Sequence, residues 1–159
     1  MTDSTASVAD ADTFSVRRSI RIAAPPETVW TAITEPALIS RWFGRAEFDG
    51  SGAGALGTLS WDDREPIPVR IESVDAPRSI SYRWSNDDAG VAPAESRFDR
   101  STVFTFTLDA SGDGTLLTVV ETGFETTSEP VADLELHRQG WDSELDELIS
   151  LLADLGAGR

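Results

Sequence analysis

The sequence predicts an α+β fold: a curved antiparallel sheet of about seven strands around a long C-terminal helix, with two short helices after the first strand. Three observations carry this expectation. Between residues 130 and 155, Leu134, Trp141, Leu145, Leu148, Leu152 and Leu155 recur at steps of seven, four, three, four and three. That spacing lays one apolar stripe along a helix. Between residues 45 and 124 no helical period is found, and consecutive segments read as strands joined by turn chemistry. Between them and the first strand lies a proline-punctuated stretch, residues 26–43, that reads as a helical hairpin.

The elements follow in order. Residues 1–14 are small, polar and acidic without period, and are expected to form a flexible acidic tail ahead of one domain over residues 15–156. Residues 16–22 alternate, with Ile20 and Ile22 on one face and Arg17, Ser19 and Arg21 on the other. Pro26 and Glu27 suit a helix start, a fixed φ and a carboxylate beside the positive end of the dipole. Val29, Trp30 and Ile33 give this helix its apolar face, and Pro36 breaks it and starts a second, residues 37–43. Strands are expected over residues 46–49, 56–61, 67–74, 79–84, 102–108 and 115–124. Short turns between consecutive strands imply an antiparallel meander. Residues 86–100 form a longer acidic connection, read as an exposed loop or as a lid. The last helix, opened by Pro130 and stopped by Gly156, must bury its stripe against the sheet.

Composition narrows the function. Thirteen basic residues, all arginine, face 28 acidic ones, for a net charge of −15. Such a chain lacks the clustered cations that neutralise phosphates, so neither nucleic acid nor an anionic membrane is an expected partner. Without cysteine there is no disulfide, thiolate nucleophile or zinc–thiolate site. No signal peptide is read, and the expected location is cytoplasmic.

Several motifs bear on the chemistry open to the chain. Gly52-Ala53-Gly54-Ala55-Leu56-Gly57 spells a dinucleotide fingerprint, but a strand follows where the pyrophosphate needs a helix N-terminus. Asp62-Asp63 with Glu65 lacks the ligand count of a calcium loop and reads as a solvated turn, and residues 144–147 read as a solvated helix face. No metal or cofactor is expected. His137, the sole histidine, lies four residues before Trp141 on the same helical side. Glu121 shares a strand face with Leu117 and Val119 and is expected to point inward. The two are weak catalytic candidates as acid and base, or else a structural hydrogen-bonded pair. No nucleophile motif supports a triad. Five tryptophans supply ring surface for a core or for a pocket taking flat apolar ligands.

Residues 22–30 (Ile22-Ala23-Ala24-Pro25-Pro26-Glu27-Thr28-Val29-Trp30), Thr34-Glu35-Pro36, Arg41-Trp42-Phe43, Gly114-Thr115-Leu116-Leu117-Thr118-Val119, Thr122-Gly123-Phe124 and His137-Arg138-Gln139-Gly140-Trp141 form an ordered set. In that order and spacing they resemble the START-like SRPBCC superfamily, in the branch named after the activator of the heat-shock-protein-90 ATPase. The resemblance covers about residues 15–155. It implies the helix-grip (START/Bet v 1-like) fold, with an apolar cavity between sheet and last helix. It also implies a binding module for a small apolar, aromatic or lipid-like molecule, lined by Trp42, Trp61, Tyr82, Trp84, Phe104, Phe106, Val119, Glu121, His137, Trp141 and Leu145. The alternatives are an acid–base enzyme of the polyketide cyclase or aromatase kind, and a stress-response or chaperone-associated interaction domain. Binding is preferred to catalysis, and the chain is expected to be a monomer or homodimer.

Overall fold

The computed structural model describes residues 7–62, 66–85, 98–127 and 129–157. Among these, eight strands form one antiparallel sheet in the order β1-β2-β8-β7-β6-β5-β4-β3. They are β1 (Val8–Asp10), β2 (Ser15–Ile22), β3 (Arg45–Asp49), β4 (Leu56–Ser60), β5 (Ile67–Asp75), β6 (Ser79–Ser85), β7 (Ser101–Ser111) and β8 (Gly114–Thr122). Strands β3 to β8 are the expected meander. Strand β2 returns to lie beside β8, with Ile22 opposite Thr115 and Ser15 opposite Thr122. The helices α1 (Pro26–Thr34) and α2 (Pro36–Trp42) span the gap between β2 and β3, and α3 (Pro130–Ala157) closes the concave face.

The helical hairpin follows from its prolines. Pro36 disfavours the α region for the residue before it, and Glu35 is extended at φ −79° and ψ 119°. Glu35 therefore both ends α1 and precedes α2. A short helix leaves its last carbonyls without partners. Here the Trp42 indole N–H donates to the Ala32 carbonyl at 2.9 Å and the Tyr82 hydroxyl to that of Ile33 at 2.7 Å. Two aromatic side chains thus fasten α1 to α2 and to β6.

The strand alternation sorts the core. Val16, Ile20 and Ile22 of β2, Val69 and Ile71 of β5, Phe104, Phe106 and Leu108 of β7, and Leu117 and Val119 of β8 are buried on the concave face. Helix α3 meets them with Leu134, Trp141, Leu145, Leu148, Leu151 and Leu152. Arg18 also falls on this inner face by parity, and it is buried. Its guanidinium donates to the Asp142 carbonyl at 2.9 Å and to Asp146 Oδ1 at 3.1 Å. A buried charge must be paired, so Arg18 joins β2 to the middle of α3.

Three expectations are corrected. Residues 8–10, placed in a flexible tail, form β1 beside β2, and Ser7 is fixed to α3 through Asp142 Oδ1 at 2.8 Å and the Arg138 carbonyl at 2.7 Å. Three residues at a sheet edge are too few to show a period, so the strand is held by pairing rather than by pattern. Strand β8 stops at Thr122 because Gly123 takes φ 102°, and Phe124 begins a 3-10 turn. Glu144, placed on a solvated face, is half-buried. Most of the connection read as a loop or lid, residues 86–97, and residues 63–65 of the acidic turn lie outside the described residues.

Two stability predictions arise here. Gly140 sits within α3 with nothing within 4 Å of an added Cβ. Gly140→Ala removes unfolded-state freedom at no steric cost and is expected to add about 0.4–1 kcal/mol in urea unfolding. Burial, with a smaller contribution from the Glu147 charge, pushes the Glu144 carboxyl up to about 7. The folded state therefore holds a proton that the unfolded state has released, and stability falls as pH rises from the ordinary carboxylate value towards 7. Glu144→Gln is expected to remove that decline and to raise Tm at pH 8 more than at pH 4.

Candidate functional site

Two features occupy the interior, one polar and one apolar. The polar one centres on Glu121 of β8, which has no exposed surface. Strand parity turns it inward, and four side-chain donors from β6, β7 and α3 are aimed at it. The Trp84 indole N–H donates to Oε2 at 2.8 Å and that of Trp141 to Oε1 at 2.8 Å. The Thr102 hydroxyl makes a short bond to Oε2. His137 Nδ1 lies 2.9 Å from Oε1 and 3.0 Å from Oε2. An ionised carboxylate only accepts, so Nδ1 carries the proton. The ring of His137 stands edge-on to Trp84 and to Phe124, with centroids 5.6 and 5.0 Å away.

Burial alone pushes the Glu121 carboxyl up. The charge on His137 and the hydrogen bonds from His137, Thr102 and Trp84 outweigh burial and hold the carboxyl below the ordinary carboxylate range. The predicted meeting of Glu121 and His137 is therefore present. The two indole donors and Thr102 had no signal in the sequence, because spacing says nothing of where an N–H converges. Chemically the arrangement is a closed clasp. Both oxygens are engaged, and the group joins β6, β7, β8 and α3.

The apolar feature is an aromatic cluster beside the clasp. Phe43, just past α2, sits among five rings: Trp42, Trp61, Trp84, Phe104 and Trp141, at centroid distances of 5.1 to 5.8 Å. Trp61 closes over it, and its indole N–H donates to the Phe43 carbonyl at 2.9 Å. On the α1–α2 side of the cluster remains a void of about 10 Å³, roughly the room of one water. Trp42, Tyr82, Phe104 and Phe106 line it, as do Ile33, Ile39, Phe43, Phe48 and Leu59. The second group was not among the predicted lining residues. Their apolarity was visible, but only the closed hairpin shows that they meet.

The remaining predicted residues lie elsewhere. Trp84, Glu121, His137 and Trp141 form the clasp, and Val119 and Leu145 are core residues with no exposed surface. Between sheet and α3 the space is taken up by these side chains, and the void lies further along, under the hairpin. Among the described residues there is no group of three or more acidic, histidine or cysteine side chains that could hold a metal ion. No described helix is long and apolar enough to cross a membrane.

Residues 23–153 match the family model described as Activator of Hsp90 ATPase homolog 1-like protein. Among solved structures, protein MLL2253 from Mesorhizobium loti is 27% identical with a TM-score of 0.74, over 88% of this chain and 97% of that one. CalU16 from Micromonospora echinospora is 22% identical with a TM-score of 0.67, over 96% and 86%. The Aha1 dimer from Colwellia psychrerythraea is 19% identical with a TM-score of 0.66, over 87% and 95%. The latter two likenesses bear on fold alone. No match was found among curated proteins.

Proposed function

The chain belongs to the Activator of Hsp90 ATPase homolog 1-like family, and we propose that it binds a small, flat, apolar molecule under the α1–α2 hairpin. The observation that carries this reading is the void itself. It lies on the concave face of a family fold, and apolar and aromatic side chains line it throughout. At about 10 Å³ it represents a closed form. A ligand enlarges it by lifting the hairpin, which is held by the Tyr82 bond to the Ile33 carbonyl, the Trp61 bond to the Phe43 carbonyl, the Ala46 N–H bond to Ser40 Oγ and the packing of its buried apolar side chains. Binding is then driven by apolar burial, at about 25 cal/mol per Å² removed from water. The chain acts as a carrier or sensor rather than a catalyst. Glu121, the best-placed acid, has both oxygens engaged and no exposed surface.

Native mass spectrometry of the protein purified from its host tests this reading. A bound small molecule that is lost on unfolding is the expected result. A bare chain that also fails to quench its tryptophan emission with flat hydrocarbons would remove it.

One observation favours a second reading. The interior is nearly full, as a protein-interaction domain would have it, and Val131 and Leu136 of α3 are exposed at 68% and 62%. Under this reading the surface carries the function, and a second copy or another protein is the partner. Protein that stays free of small molecules but sediments as a dimer, or with a partner, supports it.

A further inference from the structure

We propose that the ligand reaches the void through the β3–β4 edge, past the ring of Phe48, and that the part it inserts is an apolar ring without hydrogen-bond acceptors. This rests on the ligand-binding reading above.

The route follows from what each end of the interior offers. At the α3 end, the Glu121 clasp fastens three strands to the helix with every bond made. At the other end, β3 is the terminal strand of the sheet. A shallow, open concavity there is bounded by Glu47, Phe48, Asp49, Leu56, Gly57 and Thr58. Phe48 belongs both to this concavity and to the wall of the void. It is half-buried, 6.1 Å by ring centroids from Tyr82, which in turn stacks on Phe104 at 5.3 Å. Phe48 therefore stands between this surface and the apolar interior.

Gly57 explains how that ring lies where it does. It pairs with Phe48 across β3 and β4. A Cβ there would stand 2.8 Å from the Phe48 ring and 2.1 Å from the Glu47 carbonyl oxygen. The missing side chain lets the phenyl group lie down against the strand. Leu56, 53% exposed, adds apolar surface at the mouth.

The chemistry of the inserted group follows from the wall. The polar side-chain atoms among the lining residues are the Trp42 Nε1 and the Tyr82 hydroxyl, and both already donate to carbonyls of α1. A ligand acceptor placed in the void would lose its hydration and find both of these donors already committed. Glu47 and Asp49 at the mouth oppose a carboxylate on the trailing end.

Stopped-flow energy transfer from tryptophan to anthracene tests this, with wild type, Phe48→Leu and Phe48→Trp compared. The expected result is association faster by about threefold or more with leucine, slower with tryptophan, and dissociation moved in the same sense. 9-Anthracenecarboxylate is expected to bind at least about tenfold more weakly than anthracene. The pair Glu47→Gln with Asp49→Asn should narrow that gap, whereas the pair Asp109→Asn with Asp113→Asn, equal in charge change but remote, should not. Anthracene binding with rates indifferent to both residue-48 variants would overturn the gate and leave the binding reading standing. No anthracene binding by wild type or by Phe43→Ala would overturn both.

Discussion

Glu121→Ala is expected to lower the stability of the protein by about 3–5 kcal/mol in urea unfolding, the loss typical of breaking a buried ion pair from one side. The deleted carboxylate is the shared acceptor of two indoles, a hydroxyl and an imidazole. Removing it takes an acceptor from each of these donors, and a buried donor left unsatisfied costs about 1–3 kcal/mol before relaxation, although the Trp84 indole keeps the Thr102 hydroxyl at 2.9 Å. Glu121→Gln keeps the volume and one acceptor oxygen but turns an amide towards donors. It is expected to lose about 2 kcal/mol, within the range for hydrogen bonds to a charged group. The pH dependence separates charge from shape. The folded-state pKa of Glu121 is lowered, so between that value and the unfolded one, about 4.3, the unfolded chain binds more protons. The stabilisation is complete above the unfolded value and is lost as pH falls through the folded one. The acid limb of the wild-type stability curve should therefore be steeper than that of Glu121→Gln, with Glu144 acting in the opposite sense at higher pH.

Phe43→Ala is expected to lose about 3–5 kcal/mol, the usual loss for truncating a buried phenylalanine. Its ring touches five others and borders the void, so the truncation also joins new space to old. Apolar cavities of that kind stay dry and take small aromatic guests. The variant is thus expected to be less stable and yet to bind anthracene or benzene more tightly than wild type, by calorimetry or by tryptophan emission. A thermal shift upward on adding the hydrocarbon, larger than in wild type, is the sign of that coupling.

Much of the fold was legible because its signals repeat. The stripe from Leu134 to Leu155, the alternation in each strand and the prolines at 26 and 36 agree with one another, and agreement across levels is what defines a fold. The inward aim of Glu121 came from counting by twos, and the side of His137 from counting by fours. What could not be read depends on three-dimensional closure. Strand β1 has too few residues for a pattern. Arg18 sits at an apolar parity position, and only the carbonyls and acids of α3 explain it. The rings of Trp42, Phe43, Trp61 and Trp84 have the same letters whether they fill a space or border one, and here they mostly fill it. Phe48 opposite Gly57 is visible as a pair only once the register of β3 and β4 is known.

The pairing of β2 with β8 has a consequence for how the chain is made. As the polypeptide leaves the ribosome, β2 emerges early and has no neighbour to its inner side until β8 arrives. The meander can assemble meanwhile, because each of its strands follows its partner directly. Its concave side then waits, wet and sticky, for the last segment to be synthesised. Distant pairings of this kind slow assembly and expose nascent chains to aggregation. The arginine–aspartate links from β2 to α3 are thus among the final contacts to form, and shortening the chain from its far end removes both the cover and the latch.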